Sequence, residues 1–515
     1  MHGLLLLAAL FVPTYAVWGA VQTLAGPGGA DTLAEVVDVR RWFILLSNTA
    51  VVCGGAVLTA VVLGGCLGLL ATRTDMPLRR LLSGAALFGA CVPVCVSTVV
   101  FFALIPAYYL VKSAVACGLF YGLAYTPLAG LVVGTALRAA DRELEEQALL
   151  DAESWTVVWR VALPQAAWGV VVAGTLIVLL VATDITIPDV LMVRTFAEEV
   201  YTQFAQQNRQ TGPLLTGAPV LIVLALLLVV VQARYRLVGE QSLWQVGAQP
   251  RVFALGRWRR AAGWLCGLSL VLGLGAPIVL LVLRLQPLPG LGRAVLGVQG
   301  ELWTSAGLAL VSATLIVVPA AGLAWSVARG RWTRGVVCVA IVVLLAIPAP
   351  IVGITLITLL NRPGPTAWIY DSPLAVVAGH FVRFLPIGVL LLIPAVHRVP
   401  RELEQAARVD GCGWLREYWH IRIPAVAADA GVTWLVLLML CFAELGATVL
   451  LAPPAWPTAS VRFATLIHFG VYRDVAILAL LAAAFIVVPW ALLMHLIRRL
   501  RNAGAPGRSS ALQGV

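Results

Sequence analysis

Two carboxylates, Asp184 and Glu444, and the pair His380 and Arg383 lie inside long apolar stretches. Ionisable groups in such places usually face a cavity or a partner. His380 and Arg383 stand three residues apart in Gly379-His-Phe-Val-Arg-Phe-Leu-Pro386, so a helix presents both on one face. That face could hold a metal or an anion; it could equally serve Glu444, or a backbone carbonyl, as a buried partner. Catalytic chemistry is absent from the pattern. No nucleophile–base arrangement and no metal-ligand cluster is found. Lys112 is the only lysine, and no glycine-rich loop precedes it, so the chain lacks the phosphate-cradling site that ATP hydrolysis of that type requires.

The densest charge outside the apolar stretches falls in two patches that are copies of one another. Glu143-Leu-Glu-Glu-Gln-Ala-Leu-Leu-Asp-Ala-Glu-Ser-Trp155 returns 259 residues later as Glu402-Leu-Glu-Gln-Ala-Ala-Arg-Val-Asp-Gly-Cys-Gly-Trp414, identical at six of thirteen positions. Polar loops drift easily. A repeated one points to a docking role against something that is itself repeated.

The surrounding elements are membrane spans. The chain is 61% hydrophobic and 11% charged, a composition no ordinary soluble domain has. Apolar runs of about 20 residues, enough to cross a bilayer, are read at roughly 4–24, 43–71, 81–105, 113–138, 166–192, 214–234, 260–284, 303–328, 336–360, 374–397, 426–451 and 473–497. Lipid offers the backbone no partners, so these twelve are expected as helices. The first lacks the basic start of a signal peptide and is read as a helix. With the N-terminus placed inside, 24 of the 35 basic residues fall in cytoplasmic segments. That bias accounts for the net charge of +11, puts both repeated loops in the cytoplasm, and leaves no reason to invoke nucleic acid. The nine cysteines fall almost wholly within apolar spans without a CxxC pair, so neither a disulfide framework nor a zinc site is expected.

Other landmarks repeat at nearly the same offset. Pro93 and Pro106 match Pro350 and Pro363, Pro164 matches Pro424, and Asp184 matches Glu444, with offsets of 257 to 260. Such constancy argues for a duplicated unit of about 200 residues and a pseudo-two-fold axis along the membrane normal. The expected division is 1–42, a first helix and outer loop; 43–234, one domain with its loop at 143–164; 235–302, a cytoplasmic linker and seventh helix; 303–500, the second domain with its loop at 402–424; and 501–515, a cytoplasmic tail. Each loop should be a short helix, a turn and a re-entry into the membrane. Pro400 suits a first helical turn, Glu402 and Glu404 sit near the positive helix end, and Gly411 can take the left-handed conformation that stops the helix. Trp155 and Trp414 follow the turns as exposed aromatic anchors. Asp184 and Glu444 each lie 18 residues past the inner start of their spans, about 27 Å along a helix. There they either line an outer gate or simply reach interfacial water or a nearby arginine. The paired prolines, among them Pro93, Pro348 and Pro350, read as helix kinks.

Gln405-Ala406-Ala407, three residues, Gly411, nine residues, then Ile421-Arg-Ile-Pro424 resembles the EAA loop of bacterial ABC-importer permeases, E-A-A-x3-G-x9-I-x-L-P. The first copy departs from it: Glu146-Gln147-Ala148, then Ala152 in place of glycine, then Val161-Ala-Leu-Pro164 after a spacer one residue short. The resemblance implies an all-α integral membrane protein of about twelve transmembrane helices, built as two homologous type I ABC permease (MetI-like) domains. It implies that Glu145, Glu146, Ala148, Asp151, Ala152 and Trp155 meet one ATPase subunit. Glu404, Gln405, Ala406, Ala407, Asp410, Gly411 and Trp414 would meet the other. By the same resemblance this chain binds no cofactor, ATP and magnesium being used by a homodimer of cytoplasmic ATPase subunits. A periplasmic or lipid-anchored binding protein delivers substrate in the inner membrane. Asp184–Phe204 and Glu444–Pro454 are similar to the fused permeases of ferric-iron importers, a subgroup whose relatives also move thiamine or aminoethylphosphonate.

Overall fold

The computed structural model describes residues 39–92, 113–207, 211–238, 251–286, 289–330, 333–364, 366–469 and 472–503, together with Thr14, Tyr15, Trp18, Val21 and Val94. Among the described residues the backbone is helical, and the sole extended pairing is an isolated bridge between Thr74 and Phe253. The longer helices of the first half are α1 (Val39–Arg73), α2 (Arg79–Cys91), α3 (Ala114–Arg138), α4 (Arg142–Asp151), α5 (Leu163–Ala182), α6 (Thr186–Leu191), α7 (Phe196–Gln207) and α8 (Thr211–Val238). Two more follow, α9 (Arg259–Leu270) and α10 (Ala276–Leu283). The second half holds α11 (Leu291–Arg329), α12 (Thr333–Ala346), α13 (Ala349–Leu360), α14 (Leu374–Arg398), α15 (Arg401–Val409), α16 (Ala427–Ala443), α17 (Thr448–Leu451), α18 (Ala459–His468) and α19 (Tyr472–Ala503).

Among the described residues, six stretches are continuous, long and apolar enough to cross a membrane, and there are up to eight if each of two bent helix pairs counts as one span. The expected span 4–24 and the far part of 81–105 lie outside the described residues; 214–234 and 473–497 fall within α8 and α19. One expected span is sharply bent, at the prolines that read as a helix kink. Residues 336–360 form α12 and α13, bent by 100° at Ile347-Pro348. Pro348 sits at φ −59°, ψ 143°. A proline supplies no N–H and pushes its predecessor out of helical geometry, and Pro348 is followed two residues later by Pro350. The expected spans 166–192 and 426–451 also stop early, at Ala182 and Ala443, just before Asp184 and Glu444.

Helix α1 lies against α3 so closely that a Cβ added at Gly64 would stand 2.5 Å from the Thr126 carbonyl oxygen, and one at Gly68 2.6 Å from that of Gly130. In lipid, where apolar burial gives helices little reason to associate, such backbone contact through small residues is what holds them. The two halves meet where α8 packs on α12 and α13. An apolar cavity of about 180 Å³ between them is walled by Trp168 and Leu228 on one side and by Cys338, Leu345 and Leu390 on the other.

Candidate functional site

The repeated loops fold as two versions of one unit. In the first, the Asp141 carboxylate caps α4 by accepting from the Glu143 amide at 2.9 Å, and Arg142 bridges Glu146 one turn on at 2.7 Å. Acidic Glu143 and Glu145 occupy the first turn, where the helix dipole favours them. The helix ends at Asp151, and Ala152 is extended at φ −142°, ψ 152°. In the second, α15 ends with Gly411 at φ 72°, and the Cys412 amide donates back to the Ala407 carbonyl at 2.9 Å, the six-to-one bond of a Schellman stop. Alanine carries a Cβ that disfavours the left-handed region, so the first loop turns through extended backbone instead.

Both units then enter the membrane through a widened turn, Val158–Ala162 and Tyr418–Arg422, placed before Leu163-Pro164 and Ile423-Pro424. A proline ring clashes with the carbonyl four residues back, and a π-turn relieves that clash. The same solution recurs at Val271–Gly275, before Pro277.

The two loops are held from inside by matching ion pairs. Arg73, the last residue of α1, donates to Glu145 at 2.8 Å, and both side chains are fully buried. Arg73 also donates to the Leu137 carbonyl near the end of α3. Its counterpart Arg329, the last residue of α11, lies 3.2 Å from Glu404 and donates to the carbonyls of Val396 and Val399. Each arginine therefore joins three elements: its own helix end, the end of the neighbouring span and the loop helix. Burial pushes the Glu145 carboxyl above its ordinary range, and Arg73 beside it pulls it back. Glu404 has more help. The Trp325 indole N–H donates to it at 2.8 Å and Arg422 lies 3.4 Å away; Arg422 in turn holds Glu417 at 2.6 Å.

Glu145 and Glu404 were expected to face a partner, and the structure turns both inward. A buried, ion-paired carboxylate presents nothing to an outside surface. Ala407 is buried as well, while Ala148 and Ala152 are half-buried beneath the first loop. The exposed members are Asp151, Trp155, Gln405, Ala406, Asp410 and Gly411, with Glu146 half-exposed; Trp414 opens the short helix Trp414–Glu417. Residues that sequence reasoning passed over are Arg73, Arg329, Trp325, Arg422 and Phe253. The first two carried a readable signal, since they repeat 256 apart at the ends of equivalent spans.

Asp184 and Glu444 are also occupied internally. Asp184 accepts from the Thr186 amide at 3.1 Å, the Thr186 hydroxyl at 2.7 Å and the Tyr121 hydroxyl at 3.1 Å. Glu444 accepts from the amides of Ala447 and Thr448, each at 2.8 Å, and from the Thr448 hydroxyl. Both acids thus supply partners to the backbone just past a broken helix. Arg383 stands 3.5 Å from Glu444, while His380 bonds Ser312 at 3.0 Å and Thr448 at 3.2 Å. Among the described residues no group of three His, Cys, Asp or Glu side chains could hold a metal ion.

A doubled bundle of apolar helices with a duplicated, internally braced polar loop in each copy defines a two-domain membrane transport subunit. The chain belongs to the family of binding-protein-dependent transport system inner membrane components, whose profile matches it twice, over residues 60–239 and 318–503. That family consists of membrane subunits of transport systems, not enzymes. A protein of Streptomyces antibioticus whose name assigns it to the ABC transporter permeases is 30% identical over 200 residues, covering 38% of this chain and 84% of that protein. Another so named, from Caldicellulosiruptor sp. (strain Rt8B.4), is 27% identical over 124 residues, 24% of this chain. The chain spans 43% of the length of that second relative.

Proposed function

We propose that the chain is the permease subunit of an ABC importer, forming the translocation path and coupling it to ATPase subunits in the cytoplasm. The observation that carries this reading is the duplicated unit of loop helix, turn, π-turn and proline, each copy tied by an arginine to the ends of two spans. Such a tie makes the loop helix and the spans move as one body, which is what transmission of a push from outside the membrane needs. The exposed faces around Glu146, Asp151 and Trp155, and around Gln405, Ala406, Asp410 and Gly411, are the seats for two ATPase subunits, which use ATP and magnesium. A binding protein delivers substrate to the opposite mouth. The basic residues favour cytoplasmic loops and termini in a bacterial inner membrane. The similarity of Asp184–Phe204 and Glu444–Pro454 to ferric-iron permeases favours ferric iron as substrate, with thiamine and aminoethylphosphonate as the competing cargoes.

The test is uptake of labelled ferric complexes, thiamine and aminoethylphosphonate in a deletion strain, with wild-type chain and with Gly411→Pro. Gly411→Pro should abolish uptake while the protein still inserts in the membrane. Undiminished uptake by that variant, or crosslinking from position 155 that captures no ATPase, overturns the reading.

A further inference from the structure

The two loops share an arginine–glutamate tie, but what fills the space beneath them differs. Under the second loop the chain uses its own spans: Trp325 of α11 bonds Glu404, and the Arg422 guanidinium lies over the Trp325 ring at 5.8 Å and pairs with Glu417. At the offsets of the duplication these three correspond to Leu69, Ala162 and Val157 of the first half, all smaller and none charged. The first loop therefore lacks the aromatic ring and the ionic brace of the second.

The missing bulk comes from elsewhere. Phe253, in the segment that joins the halves, is 4% exposed and forms a buried cluster with Val157 and Val158, against which Leu69, Ala148, Leu149 and Ala152 pack. Its backbone is fixed to the end of α1: the Phe253 amide donates to the Arg73 carbonyl at 2.7 Å and its carbonyl accepts from the Asp75 amide at 3.3 Å. Two residues on, the Leu255 amide donates to the Asp75 carboxylate at 2.9 Å, and Arg259 donates to the Asp75 carbonyl at 2.7 Å. Arg251, on the other side of Phe253, lies 3.9 Å from Glu146 on the outward part of α4. The strap thus touches the loop helix from below through an aromatic ring and from its flank through a charge.

We infer that Phe253 is a positioning residue for the first coupling loop, an aromatic wedge lent by the inter-half segment where the second loop uses Trp325. The inference rests on the coupling reading above. It makes the two loops unequal: the first depends on the joint between the halves, the second on its own domain. A push on the first loop is passed to α1 through Phe253 and the Arg73 carbonyl as well as through the buried ion pair.

The experiment uses the complete transporter, reconstituted with its ATPase subunits in liposomes, and reads substrate moved per ATP hydrolysed. Phe253→Ala should lower that ratio by about fivefold or more, the scale of coupling between distinct sites, with hydrolysis continuing. Phe253→Leu should retain most of it. Leu69→Trp added to Phe253→Ala should restore the ratio by rebuilding the arrangement of the second half, a rescue that a general loss of stability would not give. A wild-type ratio in Phe253→Ala, or failure of Leu69→Trp to restore a lowered one, overturns the inference. Gly411→Pro in the same preparation separates the two ideas. If it stops transport while Phe253→Ala does not, only the wedge falls; if neither variant affects transport, the coupling reading falls with it.

Discussion

The guanidinium of Arg73 and the carboxylate of Glu145 meet at 2.8 Å with no exposure to solvent, across 72 residues of chain. A dry pair of this kind is costly to assemble and more costly to break on one side, because the survivor stays buried and charged. It is therefore a device for specifying where α4 sits, with little net stabilisation expected from it.

Breaking it one-sidedly has a defined signature. Glu145→Ala or Arg73→Met alone should destabilise the first loop by about 3–5 kcal/mol, and the double replacement Arg73→Met with Glu145→Leu should recover most of the loss. Thermal unfolding of the purified protein in nanodiscs checks this; additive losses in the double variant would contradict it. Glu145→Arg would set a second guanidinium against Arg73 and should prevent folding outright.

The turn after each loop helix gives a directional contrast. Gly411 is left-handed with open space around its missing Cβ, so Gly411→Ala carries conformational strain of about 1 kcal/mol and no clash. Ala152 is extended, so Ala152→Gly carries no left-handed strain and should lower stability by about 1 kcal/mol or less, through backbone entropy and the loss of its methyl from the Phe253 cluster. Uptake assays on both should show the larger loss in Gly411→Ala. The reverse order would mean the first turn, not the second, governs loop placement.

Asp184 and Glu444 should differ in consequence although they hold matching positions in the two halves. Glu444 is 5% exposed, accepts three hydrogen bonds and neighbours Arg383. Asp184 is more accessible and has no cation at a comparable distance among the described residues. Glu444→Gln turns one of the two acceptor oxygens into a donor facing an amide and should lower stability by about 1–3 kcal/mol. Asp184→Asn should leave both stability and uptake near wild type. Loss of uptake in Asp184→Asn, with unfolding temperature unchanged, would instead assign that acid to the path.

Periodicity of apolar residues and the repeated loop made the helical membrane architecture and its duplication legible, because both are encoded in local composition. The stop at Gly411 and the breaks beside Pro348 were legible for the same reason: glycine and proline act on their own backbone. Where each loop side chain points was not legible. Glu145 and Glu146 are adjacent and chemically alike, yet one is sealed against Arg73 and the other reaches the surface beside Arg142. Only the approach of α1 decides between them.

The sequence by itself thus determined that the described apolar segments are helical, that one is bent at Pro348, and that the chain is built twice. The tertiary structure alone decided that Trp325 bonds Glu404 of the second loop and that Phe253, from the segment between the halves, clusters with Val157 and Val158 of the first. A side chain's volume is written at its own position, but the gap it must fill is made by residues far away in the chain. Leu69 and Trp325 differ in size at matching positions, and nothing near Leu69 says that it packs against a cluster holding Phe253.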